Sequence, residues 1–192
     1  WPRRLHADLV RGLAAQGASA VVLDLQFDRP REPQDDQALA MAIGESGRVL
    51  LGSYMARERQ PLDAAGTITL NTDQLLQPLP ELAQAAYAIA PFPLPKTPYG
   101  MRNFWLFVPS AGDEATLALR VAAMLQPDKY QALYTQATGQ QASTPLSSTQ
   151  LRQLRAVLPA DHTFNLYGPP GTITTIPYDQ AYDAGFEDMP RR

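Results

Sequence analysis

Cysteine is missing altogether from this chain of 192 residues, which excludes disulfides, thiolate chemistry and cysteine-based zinc ribbons together. The absence suits an oxidising compartment, where a stray thiol would mispair, although cytosolic chains can also lack cysteine. Histidine is nearly missing. His6 and His162 lie too far apart to form a ligand spacing, so no metal and no cofactor are expected. Charge of one sign is lacking as well: the net charge is only −3, and no basic stripe of the kind that grips nucleic acid is present. Arg3-Arg4 and Arg191-Arg192 are too short to serve instead. No apolar run approaches the roughly 18 residues needed to cross a bilayer, and no cleavable signal pattern is visible.

What is present is an ordinary globular composition, 45% apolar, long enough to bury a substantial core. The chain begins at Trp1-Pro2-Arg3-Arg4 without methionine and stops at Met189-Pro190-Arg191-Arg192 without a tail, so a piece of a longer protein is expected. Trp followed by Arg is also how a chain leaves a membrane interface, yet positive charge beside a membrane favours the cytoplasmic side.

The opening repeats one grammar twice. Leu5, Leu9 and Leu13, widened by Val10, predict an amphipathic helix over residues 3–16, stopped at Gly17. Ala20-Val21-Val22-Leu23-Asp24-Leu25 then predicts a strand buried on both faces. Asp35 or Asp36 is expected to cap a second helix with Leu39 and Ile43 inward, Gly47 to end it, and Val49-Leu50-Leu51 to open a second buried strand. Such short links argue for parallel pairing. Residues 57–74 are polar and irregular, with a short strand expected at Ile68-Thr69-Leu70. Pro78, Pro80, Pro91, Pro93, Pro95 and Pro98 allow only a short helix around Leu82 to Tyr87 and predict extended or turned backbone from Pro91 to Pro98.

Phe104 to Val108 is expected to be a strand, entered through the turn Tyr99-Gly100. Gly112 or Asp113 is expected to cap a helix with Leu117, Val121, Met124 and Leu125 inward, stopped by Pro127. Residues 128–137 are expected to be helical, residues 138–146 a loop, and Ser147 or Ser148 the start of a helix bearing Leu151, Leu154 and Leu158. A hairpin should close the chain: a strand at Thr163 to Tyr167, the turn Gly168-Pro169-Pro170-Gly171, and a strand at Thr172 to Ile176. A short helix from Tyr178 follows. With no linker and no longer repeat, the expected fold class is α/β: a mainly parallel central sheet flanked by helices, with an antiparallel C-terminal hairpin, in a single domain.

Most catalytic signatures are missing from the sequence. The nucleophile-elbow pattern Gly-x-Ser-x-Gly does not occur. Gly168-Pro169-Pro170-Gly171 lacks the lysine of a phosphate loop, and its prolines remove two backbone donors. Asp24-Leu25-Gln26-Phe27-Asp28 stands where a dinucleotide fingerprint would follow the first strand. Gln26 occupies the position where haloacid-dehalogenase-like phosphotransfer needs a second Asp. What survives is a location, because ligands of open α/β sheets bind beyond the carboxyl ends of the strands, and Asp24 and Asp28 sit there. They could accept hydrogen bonds from a cationic or hydroxylated ligand, or hold a weak Ca²⁺ with Asp35 and Asp36. The commoner use of Asp at such positions is to cap a loop or turn. Arg102 could anchor an anion or simply stack on Phe104 or Trp105. Asn165 and Tyr167 share one strand face, toward a pocket or toward solvent. These five, Asp24, Asp28, Arg102, Asn165 and Tyr167, are the candidate ligand-binding residues. No catalytic residue is assigned.

Two blocks resemble a known family. One runs from Trp1-Pro2-Arg3-Arg4-Leu5-His6 to Gly17-Ala18-Ser19-Ala20-Val21-Val22-Leu23-Asp24-Leu25-Gln26-Phe27-Asp28. The other is Phe164-Asn165-Leu166-Tyr167-Gly168-Pro169-Pro170-Gly171-Thr172-Ile173-Thr174-Thr175-Ile176-Pro177-Tyr178. Both are similar to the type-two CHASE domain, a sensory module of bacterial receptors, and Gly100-Met101-Arg102 resembles that family's middle block. The resemblance implies a periplasmic, extracytoplasmic input domain anchored between transmembrane helices of the same parent chain. The implied cytoplasmic output is a nucleotide cyclase, a diguanylate cyclase, a histidine kinase or a serine/threonine kinase. It implies no catalytic residues and names no ligand. The family usually continues into a strand bearing a Gly-Lys-x-Val-x-Val-Gly-like sequence, and this chain stops before it; the 138–158 stretch is also longer than usual. A small-molecule or envelope signal and a homodimer are the expected partners, with no nucleic acid. The alternatives are a passive structural or interaction domain of a membrane protein, or an α/β enzyme using Asp24 and Asp28.

Overall fold

The computed structural model describes residues 1–63, 65, 67–93, 103–159 and 161–163, the last three and Asn103 as backbone. Helix α1, Arg3–Ala15, ends at Gln16 with Gly17 at φ +81°, a left-handed conformation that glycine adopts without a steric penalty. Its buried stripe is Ala7, Leu9 and Val10, with Leu5 and Leu13 only half-buried. Strand β1, Val21–Leu23, buries Val21 and Leu23 but leaves Val22 43% exposed. The expected two-sided burial is therefore corrected: among the described residues β1 lies at the edge of the sheet, and helices cover one of its faces.

Helix α2, Pro33–Ser46, starts with proline at its first position, where the missing N–H costs nothing. The capping position is Glu32, so neither Asp35 nor Asp36 is the cap; both lie in the first turn, where carboxylates favour the helix dipole. Gly47 closes the helix at φ +61°.

Strand β2, Val49–Pro61, is the spine of the fold. Its first residues pair in parallel with β1 (Val21↔Val49 to Leu23↔Leu51) and with β4, Ala88–Pro91 (Leu50↔Ala88 to Ser53↔Pro91). Val49 to Ser53 are all buried, because both faces are covered. Val49 and Leu51 pack with Ala7, Val10, Leu39 and Ile43 of α1 and α2. Leu50 turns the other way, against Ala90 and Leu117.

Beyond the core β2 continues, against expectation, as one arm of a two-stranded ribbon. Its partner is β3, Thr69–Leu76, antiparallel from Tyr54↔Leu76 to Pro61↔Thr69. The polar stretch concealed these strands for a physical reason. A ribbon solvated on both faces has no need of alternating apolar residues, so Arg57-Glu58-Arg59-Gln60 carries no period-2 signal. The four-stranded sheet is accordingly mixed.

Helix α3, Pro80–Ala85, lies slightly earlier than expected, again with proline at its start. The expected strand over Phe104 to Val108 is broken at Leu106. β5, Asn103–Trp105, pairs with β8, Asp161–Thr163, and β6, Phe107–Val108, pairs with β7, Glu114–Ala115, both antiparallel. Gly112 (φ +68°) and Asp113 (φ +55°) make the turn into β7 and do not cap the next helix. That task falls to Thr116, whose hydroxyl accepts from the Leu119 N–H of α4, Leu117–Leu125, and donates to the Trp105 carbonyl at 2.7 Å. Leu125 is 49% exposed, contrary to its expected core position.

Helix α5, Pro127–Thr138, follows after one non-helical residue, Gln126, and Gly139 ends it at φ +69°. Helix α6, Ser148–Gln153, begins in a reciprocal capping box between Ser147 and Gln150. Leu151 and Leu154 join Leu106, Phe107, Leu119 and Tyr134 in a second core cluster. The expected hairpin across Gly168-Pro169-Pro170-Gly171, the remainder of its first strand and the final helix lie outside the described residues. Among the described residues, no helix is long and apolar enough to cross a membrane. The chain is a mixed α/β fold in a single domain.

Candidate functional site

The parallel strands bring Asp24 to their carboxyl edge, immediately after β1. Its exposed carboxylate accepts a hydrogen bond from the Tyr54 hydroxyl at 3.1 Å. Gly52 leaves room for this contact, since a Cβ there would lie 3.3 Å from both Asp24 Oδ1 and Tyr54 Oη. Burial, then the charge of Asp24 and the hydrogen bond to it, push the Tyr54 phenol up to about 12. Tyr54 is thus a donor at any physiological pH.

Asp28 takes a different partner. It is half-buried, and its Oδ2 lies 3.9 Å from Nε of the exposed Arg29. Asp36 is buried, its Oδ1 2.6 Å from Arg3 Nη1, while its Oδ2 accepts from the Arg31 N–H at 2.9 Å. Arg3 also donates to the Arg29 carbonyl and lies over the Phe27 ring, 5.3 Å from its centroid. The Ca²⁺ arrangement considered from the sequence does not form: among the described residues no three His, Asp or Glu side chains converge on a metal position. Arg102, Asn165 and Tyr167 lie outside the described residues.

Nearby, a depression of about 810 Å³ opens between the start of α1 and the approach to α2. Arg4, Arg31 and Glu32 in its walls are exposed, so solvent screens their charge.

A smaller cavity, about 330 Å³, is built differently. It lies between α4, the start of α5 and the loop before α6, with Tyr87 at the start of β4 and Met124, Gln131, Thr144 and Leu151 in its wall. Arg120 completes it, its side chain only 9% exposed. Nη2 of Arg120 donates to Glu114 Oε1 and to Ser148 Oγ, both at 2.7 Å. Nε is buried without a hydrogen-bond partner, and Nη1 has none among the described residues. Glu114 is shared, because its Oε2 lies 3.8 Å from Nη1 of Arg152. Burial holds the Tyr87 phenol above its ordinary value, with the charge of Arg120 pulling the other way.

Sequence reasoning passed over Arg120, although a signal existed. In Leu117-Ala118-Leu119-Arg120-Val121-Ala122-Ala123-Met124-Leu125 it is the single charge in an apolar helix. A cation in such a helix is buried with partners or reaches out to solvent.

A model of the CHASE2 domain matches residues 1–189. No curated protein and no solved structure matches the chain. With essentially its whole length matched, the chain belongs to the CHASE2 domain family, a family of extracytoplasmic sensory domains.

Proposed function

We propose that this domain is the signal-sensing input of a membrane-bound bacterial receptor and controls a cytoplasmic cyclase or kinase output, working as a homodimer anchored through transmembrane helices of its parent chain. The family match over residues 1–189 carries the reading. A receptor input needs two arrangements of unequal free energy and a ligand that prefers one of them; a ligand bound equally well by both would transmit nothing. The passive-spacer alternative leaves unexplained a cavity walled by a buried, incompletely paired arginine. The enzymatic alternative has less support, since Asp24 answers to Tyr54 while Asp28 lies beside Arg29.

The test is a topology reporter fused after Phe107 in the intact parent protein. Activity of a periplasmic reporter is expected. Activity of a cytoplasmic reporter alone would overturn the sensory reading.

A further inference from the structure

We propose that the cavity under α4 is a binding site for a small monocarboxylate with a compact apolar body, its carboxylate held by Arg120. A guanidinium carries five N–H donors, and a buried one is costly unless those donors and its charge are answered. Among the described residues Nη2 alone is engaged, and Nε is sealed from solvent without an acceptor. The carboxylate in contact among the described residues is Glu114, which also faces Arg152, so two cations share one anion. A single added negative charge would complete the set, and a carboxylate supplies one.

The remaining wall describes the rest of the ligand. Met124 and Leu151 offer apolar surface, while Tyr87, Gln131 and Thr144 add a few polar atoms, of which Gln131 Nε2 already donates to Thr144 Oγ1 at 2.7 Å. About 330 Å³ lies at the small end of ligand cavities, near 300 Å³. Inorganic phosphate suits this wall poorly, since it carries more charge, needs more donors and has no apolar part.

The test is titration of the 192-residue chain with benzoate and hexanoate, with their uncharged amides and with inorganic phosphate, followed by calorimetry and by backbone amide shifts. Both carboxylates are expected to bind saturably, with shifts centred on Tyr87, Arg120 and Gln131. The amides and phosphate should bind at least about tenfold more weakly, the factor that corresponds to one charge-assisted contact. Arg120→Gln should cost a similar factor. Because that change also leaves Glu114 short of a partner, Ala123→Leu is the second variant: Ala123 lines the cavity, and the larger side chain fills it without touching the guanidinium charge. Loss of binding in Ala123→Leu is expected. No saturable carboxylate binding, equal binding of the amides, or full binding by Ala123→Leu would each overturn the site, as would shifts centred on Arg4 and Arg31.

That such a carboxylate is the receptor's signal rests on the sensory reading above, and the two can fail separately. Binding to the chain with no change in the parent's output would sink the signalling role and leave the site. Absence of binding, with the domain still reporting a periplasmic location, would sink the site alone.

Discussion

Replacing Arg3 by methionine removes the cation from a buried pair and leaves the Asp36 charge with the Arg31 N–H but no counter-ion among the described residues. Both side chains are 6% exposed and their atoms approach to 2.6 Å, so water cannot take over the missing partner. Three contacts go together: the ion pair, the hydrogen bond to the Arg29 carbonyl and the stacking over Phe27. Breaking one side of a buried ion pair costs about 3–5 kcal/mol. Against a total stability of about 5–15 kcal/mol that is a large share, and Arg3→Met should lower the urea midpoint steeply with an unchanged slope. The double variant Arg3→Met with Asp36→Leu removes both charges and keeps the volume. It should regain most of the loss, because well-packed apolar residues substitute for buried pairs at little cost. The assay is urea denaturation followed by far-ultraviolet circular dichroism. An Arg3→Met cost below about 1 kcal/mol, or a double variant as damaged as the sum of the singles, would refute the reasoning that this pair fastens α1 to α2.

Other consequences follow from contacts at the strand edge and the caps. Gly52→Ala places a methyl 3.3 Å from Asp24 Oδ1 and Tyr54 Oη; it should separate them and return the Tyr54 phenol from about 12 toward 10, as read by ultraviolet titration. Because that phenol is raised, its contribution to stability is present below pH 10 and lost as pH climbs to about 12, so Tyr54→Phe should flatten the alkaline limb of the stability curve. His6 is held below its usual value by burial first, then by the chain's amino-terminal charge and by Arg3. The unfolded chain therefore takes up the proton first as pH falls through 6.5, and the native state weakens on the acid side. His6→Gln should reduce that acid-side loss in a pH series of thermal melts. Thr116→Ala removes a buried cap that also holds the Trp105 carbonyl, and should cost about 1–2 kcal/mol in urea denaturation.

The opening αβ grammar was legible because each signal is local: Gly17 and Gly47 stop helices by a positive φ that few other residues tolerate, and Val49-Leu50-Leu51 announces a strand covered on both faces. The ribbon was not legible, since what makes Arg57 to Gln60 a strand is pairing with Leu70 to Asp73, and no apolar face records it. Val22 misled for a related reason. Its residue type fits a central strand, but among the described residues β1 lies at an edge, and edge position is a property of the assembled sheet. Gly112 and Asp113 have the chemistry of a cap; the short β7 that intervenes moves the cap to Thr116. Of the site, the place of Asp24 at the strand's end could be read from the order of elements. Its partner Tyr54 could not, because only the parallel register brings those two positions together. Arg120 was passed over because its meaning depends on Glu114 of β7 and on Ser148 and Arg152 of α6, which only the folded chain brings to α4.

The unbroken run of β2 has a mechanical consequence. One strand of 13 residues passes from the packed segment Val49 to Ser53 straight into the solvated ribbon, roughly 40 Å end to end. No loop interrupts it, so the backbone near Leu62 and Ile68 is joined by one continuous strand to the layer between the helices, where Leu50 meets Leu117 of the helix that bears Arg120.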